Sequence, residues 1–190
     1  MSLSINEVKS GVTILVDGDV YVVVEAQHVK PGKGAAFVRA KCRNLRNSNI
    51  QEKTFRGDEK IDQAYIEERK LQYQYSSGNM YHFMDQENFE EVAVSEDSLG
   101  DKKKFLKDNL DVLGYFYKDE TLSVNLPNFI QFKIIHTEPG IKGDTAKSGT
   151  KSAEIETGAV IQVPLFINEG DVVKIDTRAG GGEYVERVNQ

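Results

Sequence analysis

The sequence predicts an all-β protein built of three small β-barrels. Apolar, β-branched segments of roughly five to eight residues recur along the 190-residue chain, and residues rich in Gly, Asn and Asp separate them. Their spacing of about 8–12 residues is typical of small barrels. Only one short helix is predicted. Three domains of about 60 residues each therefore fit the length better than one large sandwich.

The first predicted hairpin joins residues 12–16 to residues 20–24. Both arms are rich in Val and Ile, and Asp17 and Gly18 stand between them. An Asp-Gly pair favours the positive φ angles that two-residue hairpin turns require. We therefore expect a tight turn at this point.

A second, longer hairpin is predicted directly afterwards, with arms at residues 24–29 and 36–43. Its turn contains Pro31, Gly32, Lys33 and Gly34. Proline presets φ on entry, and the two glycines permit left-handed geometry on either side of the lysine. Lys33 is therefore expected at the apex. Arms of about six residues, at ~3.3 Å each, would hold it roughly 20 Å from the base of the hairpin.

The rest of the chain is predicted as short strands around one helix. Alternating patterns predict strands at residues 50–55, 70–76, 79–85, 90–94, 112–117, 122–126, 129–136, 155–157, 160–164, 171–176 and 184–188. The helix is predicted from about Asp101, as N-cap, to Asn109. Pro127 and Asn128 form the best linker candidate. The predicted domains are residues 1–64, 65–127 and 128–190.

The net charge of −6 is distributed unevenly. Residues 1–64 hold 10 Lys or Arg against 8 Asp or Glu, residues 65–128 hold 7 against 13, and residues 129–190 hold 7 against 9. No acidic residue lies between Glu25 and Glu52. Six basic residues lie there: Lys30, Lys33, Arg39, Lys41, Arg43 and Arg46. Such a segment predicts binding to a polyphosphate such as RNA, although a solvated basic face would look the same.

The chemistry of common enzymes is missing from the sequence. His28, His82 and His136 lie far apart, and the single cysteine, Cys42, rules out a zinc site of the Cys₄ or Cys₂His₂ type within one chain. The fragment around Lys33 lacks the spacing of a nucleotide-binding loop. We therefore expect no enzyme activity, no metal and no cofactor. The lack of a signal peptide and of a long apolar run predicts a cytoplasmic protein without membrane contact.

Residues 29–39, residues 81–85 and a set of residues in the last third form three motifs, in order along nearly the whole chain. Together they resemble the elongation factor P family of bacterial translation factors. The run at residues 29–39 resembles that family's tip hairpin, and residues 81–85 resemble its second domain. In the last third the resemblance is carried by Lys151, Ser152, Ala153, Gly158, Ile161, Val163, Pro164, Ile167, Gly170, Thr177, Arg178 and residues 182–187.

The resemblance implies an L-shaped, tRNA-like arrangement of an SH3-like (KOW-type) barrel followed by two oligonucleotide-binding (OB) barrels. It implies binding to stalled 70S ribosomes between the P and E sites, and stimulation of peptide-bond formation at consecutive prolines. The partners would be rRNA, P-site peptidyl-tRNA and E-site mRNA. The factor would act as a monomer.

The resemblance also implies roles for individual residues. Lys33 occupies the position that family members modify after translation, which requires a separate lysine-modifying enzyme. The expected contacts of the tip with tRNA and rRNA are Lys30, Pro31, Gly32, Gly34, Arg39, Lys41, Arg43 and Arg46. The expected contacts with the small subunit, mRNA or tRNA are Gly143, Asp144, Thr145, Tyr184 and Arg187.

Three alternatives stay open on the sequence alone. A paralogue with a different stalling repertoire tends to carry altered tip residues, unlike residues 31–34 here. An archaeal or eukaryotic relative should lack the third domain. A generic OB protein would grip single strands with exposed aromatics in a basic groove, which the acidic last two thirds disfavour.

Overall fold

The long hairpin dominates the N-terminal third of the protein. The computed structural model describes residues 2–139, 149–178 and 180–188. In the N-terminal third a 3₁₀-helix (Ile5–Glu7) accompanies a six-stranded sheet of order β1-β6-β2-β3-β4-β5. Its strands are β1 (Ser2–Leu3), β2 (Thr13–Val16), β3 (Asp19–Val29), β4 (Phe37–Asn44), β5 (Ile50–Arg56) and β6 (Ile61–Gln63).

The first turn confirms its sequence signature. Asp17 and Gly18 have φ angles of 54° and 85°, as a two-residue hairpin loop between β2 and β3 requires. The two adjacent strands predicted at residues 20–24 and 24–29 are one continuous strand, β3. A register shift between Val23 and Glu25 marks a β-bulge at their junction.

The middle third forms a five-stranded sheet of order β11-β10-β7-β8-β9. Its strands are β7 (Glu67–Ser77), β8 (Met80–Asp85), β9 (Glu91–Ser95), β10 (Asp111–Tyr117) and β11 (Glu120–Asn125). The predicted helix is displaced. The chain forms helix α1 (Glu96–Leu99) and then a 3₁₀-helix (Gly100–Phe105), and the Ser95 side chain caps α1 by accepting a hydrogen bond from the Ser98 amide.

The last third closes into a barrel of order β12-β13-β14-β16-β15. Its strands are β12 (Phe129–Thr137), β13 (Thr150–Ile155), β14 (Val160–Pro164), β15 (Val172–Asp176) and β16 (Glu183–Val188). The strand predicted at residues 155–157 is wrong, because Ile155 ends β13 and the next residues form a turn. The strands predicted at residues 160–164 and 184–188 are confirmed to within one residue.

The core of this barrel includes a side chain from outside it. Phe105, from the 3₁₀-helix, is 1 % exposed and packs with Phe132, Ile155 and Ile175. A Cβ atom on Gly182 would lie 2.7 Å from the ring of Phe105, so only glycine leaves room for that ring. The Thr157 hydroxyl donates to the carbonyl of Lys104 at 2.6 Å beside it.

By their internal packing the described residues divide into two units. One comprises residues within Met1–Arg69 and Gly114–Ser123, and the other residues within Lys70–Leu113 and Val124–Gln190. The all-β prediction is confirmed. The domain boundaries at residues 64 and 127 stay predictions. No helix in the described part of the chain is both long and apolar enough to span a membrane.

Candidate functional site

The candidate site is the end of the hairpin that β3 and β4 form. The two strands pair from Tyr21 opposite Asn44 to Val29 opposite Phe37. Residues 30–36 connect them, and Lys33 is the middle residue of that connection. The β3–β4 ladder therefore presents Lys33 at the apex, where the turn chemistry predicted it.

Lys33 is exposed, as are its neighbours Gly32 and Gly34. Gly34 has a φ of +115°, a region that side chains other than glycine rarely adopt. Gly32, in contrast, is not one of the described residues with a positive φ. The expectation of left-handed geometry at both glycines is therefore confirmed only at Gly34.

Around the tip, cations lie near neutral neighbours. Arg39 lies across from Gln27 on β3 and Thr54 on β5, and its guanidinium lies 5.6 Å from the ring of Phe37. Arg56 is paired with Phe37 across the ladder. A shallow open groove is lined by Ala35, Phe37, Arg39, Thr54 and Arg56. Within residues 2–139, 149–178 and 180–188, no carboxylate forms an ion pair with Lys30, Lys33, Arg39 or Arg56.

At the base of the hairpin the cations are matched by carboxylates. Lys41 lies between Glu25 and Glu52, and its Nζ is 2.8 Å from Glu25 Oε2. That hydrogen bond raises the pKa of Lys41. Arg46 lies 2.8 Å from Glu120 Oε1 and 3.9 Å from Asp19 Oδ1.

The acid-free stretch of sequence is thus not acid-free in the fold. Strand pairing places Glu25 and Glu52 beside Lys41, and the carboxylates that reach Arg46 come from Asp19 and Glu120. Arg43 lies between the apolar Val22 and Ile50, without an ion pair among the described residues. Among the described residues, the basic side chains of this segment without an ion pair are therefore Lys30, Lys33 and Arg39 at the tip and Arg43 nearer the base.

Arg56 was missed by sequence reasoning. Arg56 lies after Glu52, outside the stretch without acidic residues, in a part of the sequence that contains both acidic and basic residues. The signal that could have found it is the hairpin geometry: β4 and β5 are antiparallel, so the end of β5 returns to the beginning of β4. Arg56 therefore joins Arg39 at the tip end of the sheet.

The C-terminal residues implied by the resemblance are only partly described. Gly143, Asp144 and Thr145 lie outside the described residues. Tyr184 lies on β16, half-buried against the barrel core. Arg187, on the same strand, is exposed, with Nη1 3.8 Å from Asp171 Oδ2 and its guanidinium 5.8 Å from the ring of Phe166.

The described residues hold no group of three or more His, Cys, Asp or Glu side chains that could bind a metal ion. Cys42 is fully buried in β4, where burial raises the pKa of its thiol. A buried thiol of raised pKa is a poor nucleophile. The structure therefore gives Cys42 a packing role.

Three family models match successive parts of the chain. The elongation factor P KOW-like domain matches residues 4–61, the elongation factor P OB domain matches residues 66–124, and the elongation factor P C-terminal model matches residues 130–187. Together they cover more than half of the protein. The chain belongs to the elongation factor P family.

Curated relatives from the elongation factor P family match over nearly their full length. Elongation factor P of Moorella thermoacetica is 55 % identical over 185 residues, covering 97 % of this chain and 99 % of the relative. That of Natranaerobius thermophilus is 52 % identical over 183 residues, covering 96 % of each chain. Membership of this family makes the protein a translation elongation factor and not an enzyme.

Two solved structures share the fold of the part of this chain that they cover. The eukaryotic-type translation initiation factor 5A from Methanococcus jannaschii superposes with a TM-score of 0.52 at 20 % identity, covering 65 % of this chain and 93 % of that chain. An initiation factor 5A family protein from Naegleria fowleri gives 0.51 at 14 % identity, covering 66 % and 98 %. At these identities the likeness concerns the fold alone.

Proposed function

We propose that this elongation factor binds 70S ribosomes stalled at consecutive prolines, between the P and E sites. There it stimulates peptide-bond formation by holding the P-site peptidyl-tRNA through Lys33. The observation that carries the proposal is the exposed Lys33 at the apex of the β3–β4 hairpin, where no carboxylate among the described residues pairs with it.

The proposed mechanism is positional. Proline is a rigid, poor nucleophile, so the alignment of the two substrates limits its slow reaction. Holding peptidyl-tRNA in a reactive geometry recovers several kcal/mol through proximity and orientation. A lysine suits this role, because it is a flexible point charge attracted to backbone phosphate. Since no acid–base partner lies beside Lys33 in the described residues, it contributes contact and no proton transfer.

The tip supplies the contacts with tRNA and rRNA. The proposed set keeps every residue that the family resemblance implied and adds Arg56: Lys30, Pro31, Gly32, Gly34, Arg39, Lys41, Arg43, Arg46 and Arg56. Arg39 and Arg56 are expected to contribute most to binding, because neither has a carboxylate partner among the described residues. Lys41 and Arg46 contribute less, since each already pairs with a carboxylate.

Further contacts come from the C-terminal third. Gly143, Asp144, Thr145, Tyr184 and Arg187 would contact the small subunit, the E-site mRNA and the tRNA. We further propose the domain boundaries at residues 64 and 127, action as a monomer, and a cytoplasmic location with the ribosome.

Lys33 is proposed to be modified after translation by a separate enzyme. The exposed amine stands between two glycines that offer no side chain to obstruct an enzyme. Intact-mass analysis of protein from its native host, compared with the Lys33→Arg variant from the same host, tests this. An added mass present only on the unsubstituted protein is expected, and identical mass differences from the two sequences would contradict it.

The central experiment measures synthesis of a Pro-Pro-Pro peptide in a reconstituted translation system. Protein from the native host should accelerate it, and Lys33→Ala should reduce the acceleration by about tenfold or more, the loss of about 1.4 kcal/mol of positioning. Lys60→Ala is the matched control, because it removes the same charge from another exposed site in the same third. Full acceleration by Lys33→Ala would overturn the proposal.

A further inference from the structure

A cluster of three interacting side chains lies on the outward face of the middle sheet, in the unit that contains Lys70–Leu113. It comprises Tyr75 on β7, His82 on β8 and Glu91 on β9. The rings of Tyr75 and His82 stack, with centroids 4.4 Å apart and planes 9° from parallel. Glu91 fixes both rings: Oε1 lies 2.9 Å from His82 Nδ1, and Oε2 accepts from the Tyr75 hydroxyl at 3.2 Å.

A β-bulge creates this cluster. Leu71 and Tyr73 alternate into the core, so strict alternation would bury Tyr75 as well. The register shifts between Tyr73, opposite Phe83, and Tyr75, opposite His82, so Gln74 is the extra residue. Bulges re-aim side chains and are over-represented near functional sites. Here the bulge moves a large aromatic ring out of the core and beside His82.

The cluster leaves two kinds of surface open to a ligand. Tyr75 is 49 % exposed although His82 covers one face of its ring, so the opposite face meets solvent. The Glu91 side chain is 58 % exposed, whereas that of His82 is 16 % exposed. A carboxylate offers about four acceptor positions, and the two rings use two of them. The hydrogen bond from His82 lowers the pKa of Glu91, which keeps the carboxylate ionised.

The surroundings carry negative charge. Residues 65–128 hold 13 acidic residues against 7 basic ones. Two lysines of the same third already pair with carboxylates, Lys103 with Glu96 and Lys104 with Asp101. Within the described part of the chain, Glu87, Glu90 and Asp97 have no ion-pair partner. The field at the cluster therefore favours a cation and opposes a phosphate backbone.

We propose that Tyr75 and Glu91 form a docking site for an arginine side chain from a basic peptide segment of a partner protein. A guanidinium stacks on an aromatic face and donates paired hydrogen bonds to a carboxylate, and this site offers both surfaces side by side. The outward face of β8 and β9, the second and third strands of this sheet, is also the face on which OB folds bind oligonucleotides and oligosaccharides, but the negative charge here favours a cationic ligand. The site shares no residue with the Lys33 tip, and the proposal does not depend on the function proposed for the tip.

The test titrates the ¹⁵N-labelled full-length protein with the peptide Arg-Gly-Arg-Gly-Arg and follows amide shifts by NMR. Shifts should centre on Tyr75, His82 and Glu91. Tyr75→Ala and Glu91→Gln should each weaken binding by about fivefold or more. Glu90→Gln is the matched control, because it removes one exposed carboxylate from the adjacent position, and it should weaken binding by less than about twofold.

Two further probes separate the ligand classes. Lys-Gly-Lys-Gly-Lys carries the same charge without a planar group, so it should bind more weakly than the arginine peptide. Hexauridylate tests whether the Tyr75 ring stacks on a nucleobase instead of a guanidinium. If Glu91→Gln and Glu90→Gln lost equal affinity for the arginine peptide, any negative charge in this region would be sufficient for binding, and the proposal would be overturned. Tighter binding of hexauridylate at the same three residues would overturn it in favour of an RNA-stacking site.

Discussion

The two halves of the long hairpin carry similar residues and differ in their electrostatic state. At the tip, Lys33, Arg39 and Arg56 have no ion-pair partner among the described residues. At the base, Lys41 pairs with Glu25 and Arg46 with Glu120. The difference comes from carboxylates that the fold brings close, by strand pairing at Lys41 and from β11 at Arg46, and not from the spacing of basic residues along the chain.

The contrast follows from the ladder on either side of β4. The exposed residues of β4 alternate as Arg39, Lys41 and Arg43, so all three face the same side of the sheet. Their neighbours on β3 and β5 differ at each step: polar and uncharged at Arg39, acidic at Lys41 and apolar at Arg43. Of these three residues on one face, only Lys41 therefore has carboxylates beside it.

The largest effect is expected from neutralising the tip. The double variant Arg39→Gln, Arg56→Gln should weaken 70S ribosome binding by about tenfold or more, or about 1.4 kcal/mol. Each lost phosphate contact should also lower the slope of log K against log salt by about 0.7–0.9. Binding measured between about 50 and about 200 mM salt gives both quantities.

The control for that experiment is the double variant Lys41→Gln, Arg46→Gln, which removes the same charge from the base. Because those cations already pair with carboxylates, we expect a loss of less than about threefold and a smaller change in slope. Equal losses from the two double variants would remove the distinction between tip and base.

A smaller effect is expected from the backbone of the tip. Gly34→Ala places a side chain at a φ of +115°, which costs on the order of 1–2 kcal/mol and should reduce the acceleration of Pro-Pro-Pro synthesis by about fivefold or more. Gly32→Ala is the matched control, since Gly32 has no positive φ in the described structure and a Cβ there meets nothing within 4 Å. Equal tolerance of both alanines would show that the tip does not need this geometry.

The smallest effect should come from freeing a cation at the base. Glu25→Gln removes the carboxylate charge that strengthens the hydrogen bond to Lys41 and raises its pKa, so that pKa should fall toward its ordinary value. The freed ammonium should improve ribosome binding by about twofold and steepen its salt dependence. NMR titration of the Lys41 Nζ and the binding assay measure the two effects. Weaker binding after this substitution would mean that Glu25 positions Lys41 for its contact.

Much of the fold was predictable from local signals. The β4 strand alternates strictly between buried and exposed residues, and the Asp17–Gly18 turn has the φ angles its residues favour. The tip position of Lys33 followed from the same turn chemistry. These predictions succeeded because each depends on residues that are adjacent in sequence.

Predictions failed where the signal was weak or came from distant residues. Strand β13 buries only Ala153 and Ile155, so its alternation was too faint to recognise and its position was predicted several residues late. The helix was predicted several residues late, because the packing of Phe105 depends on residues distant from it in the sequence. In the structure its ring fills the core of the last barrel, beside Gly182.

The sequence by itself determined the β-rich architecture, the family and the residue at the hairpin tip, because these depend on local alternation, turn chemistry and the order of motifs. The tertiary structure alone decided that Arg56 joins Arg39, that Glu25 neutralises Lys41, and that a bulge turns Tyr75 outward to meet His82 and Glu91. These outcomes depend on strand register. Register is a property of paired segments, and a shift of one residue moves a side chain to the opposite face of the sheet.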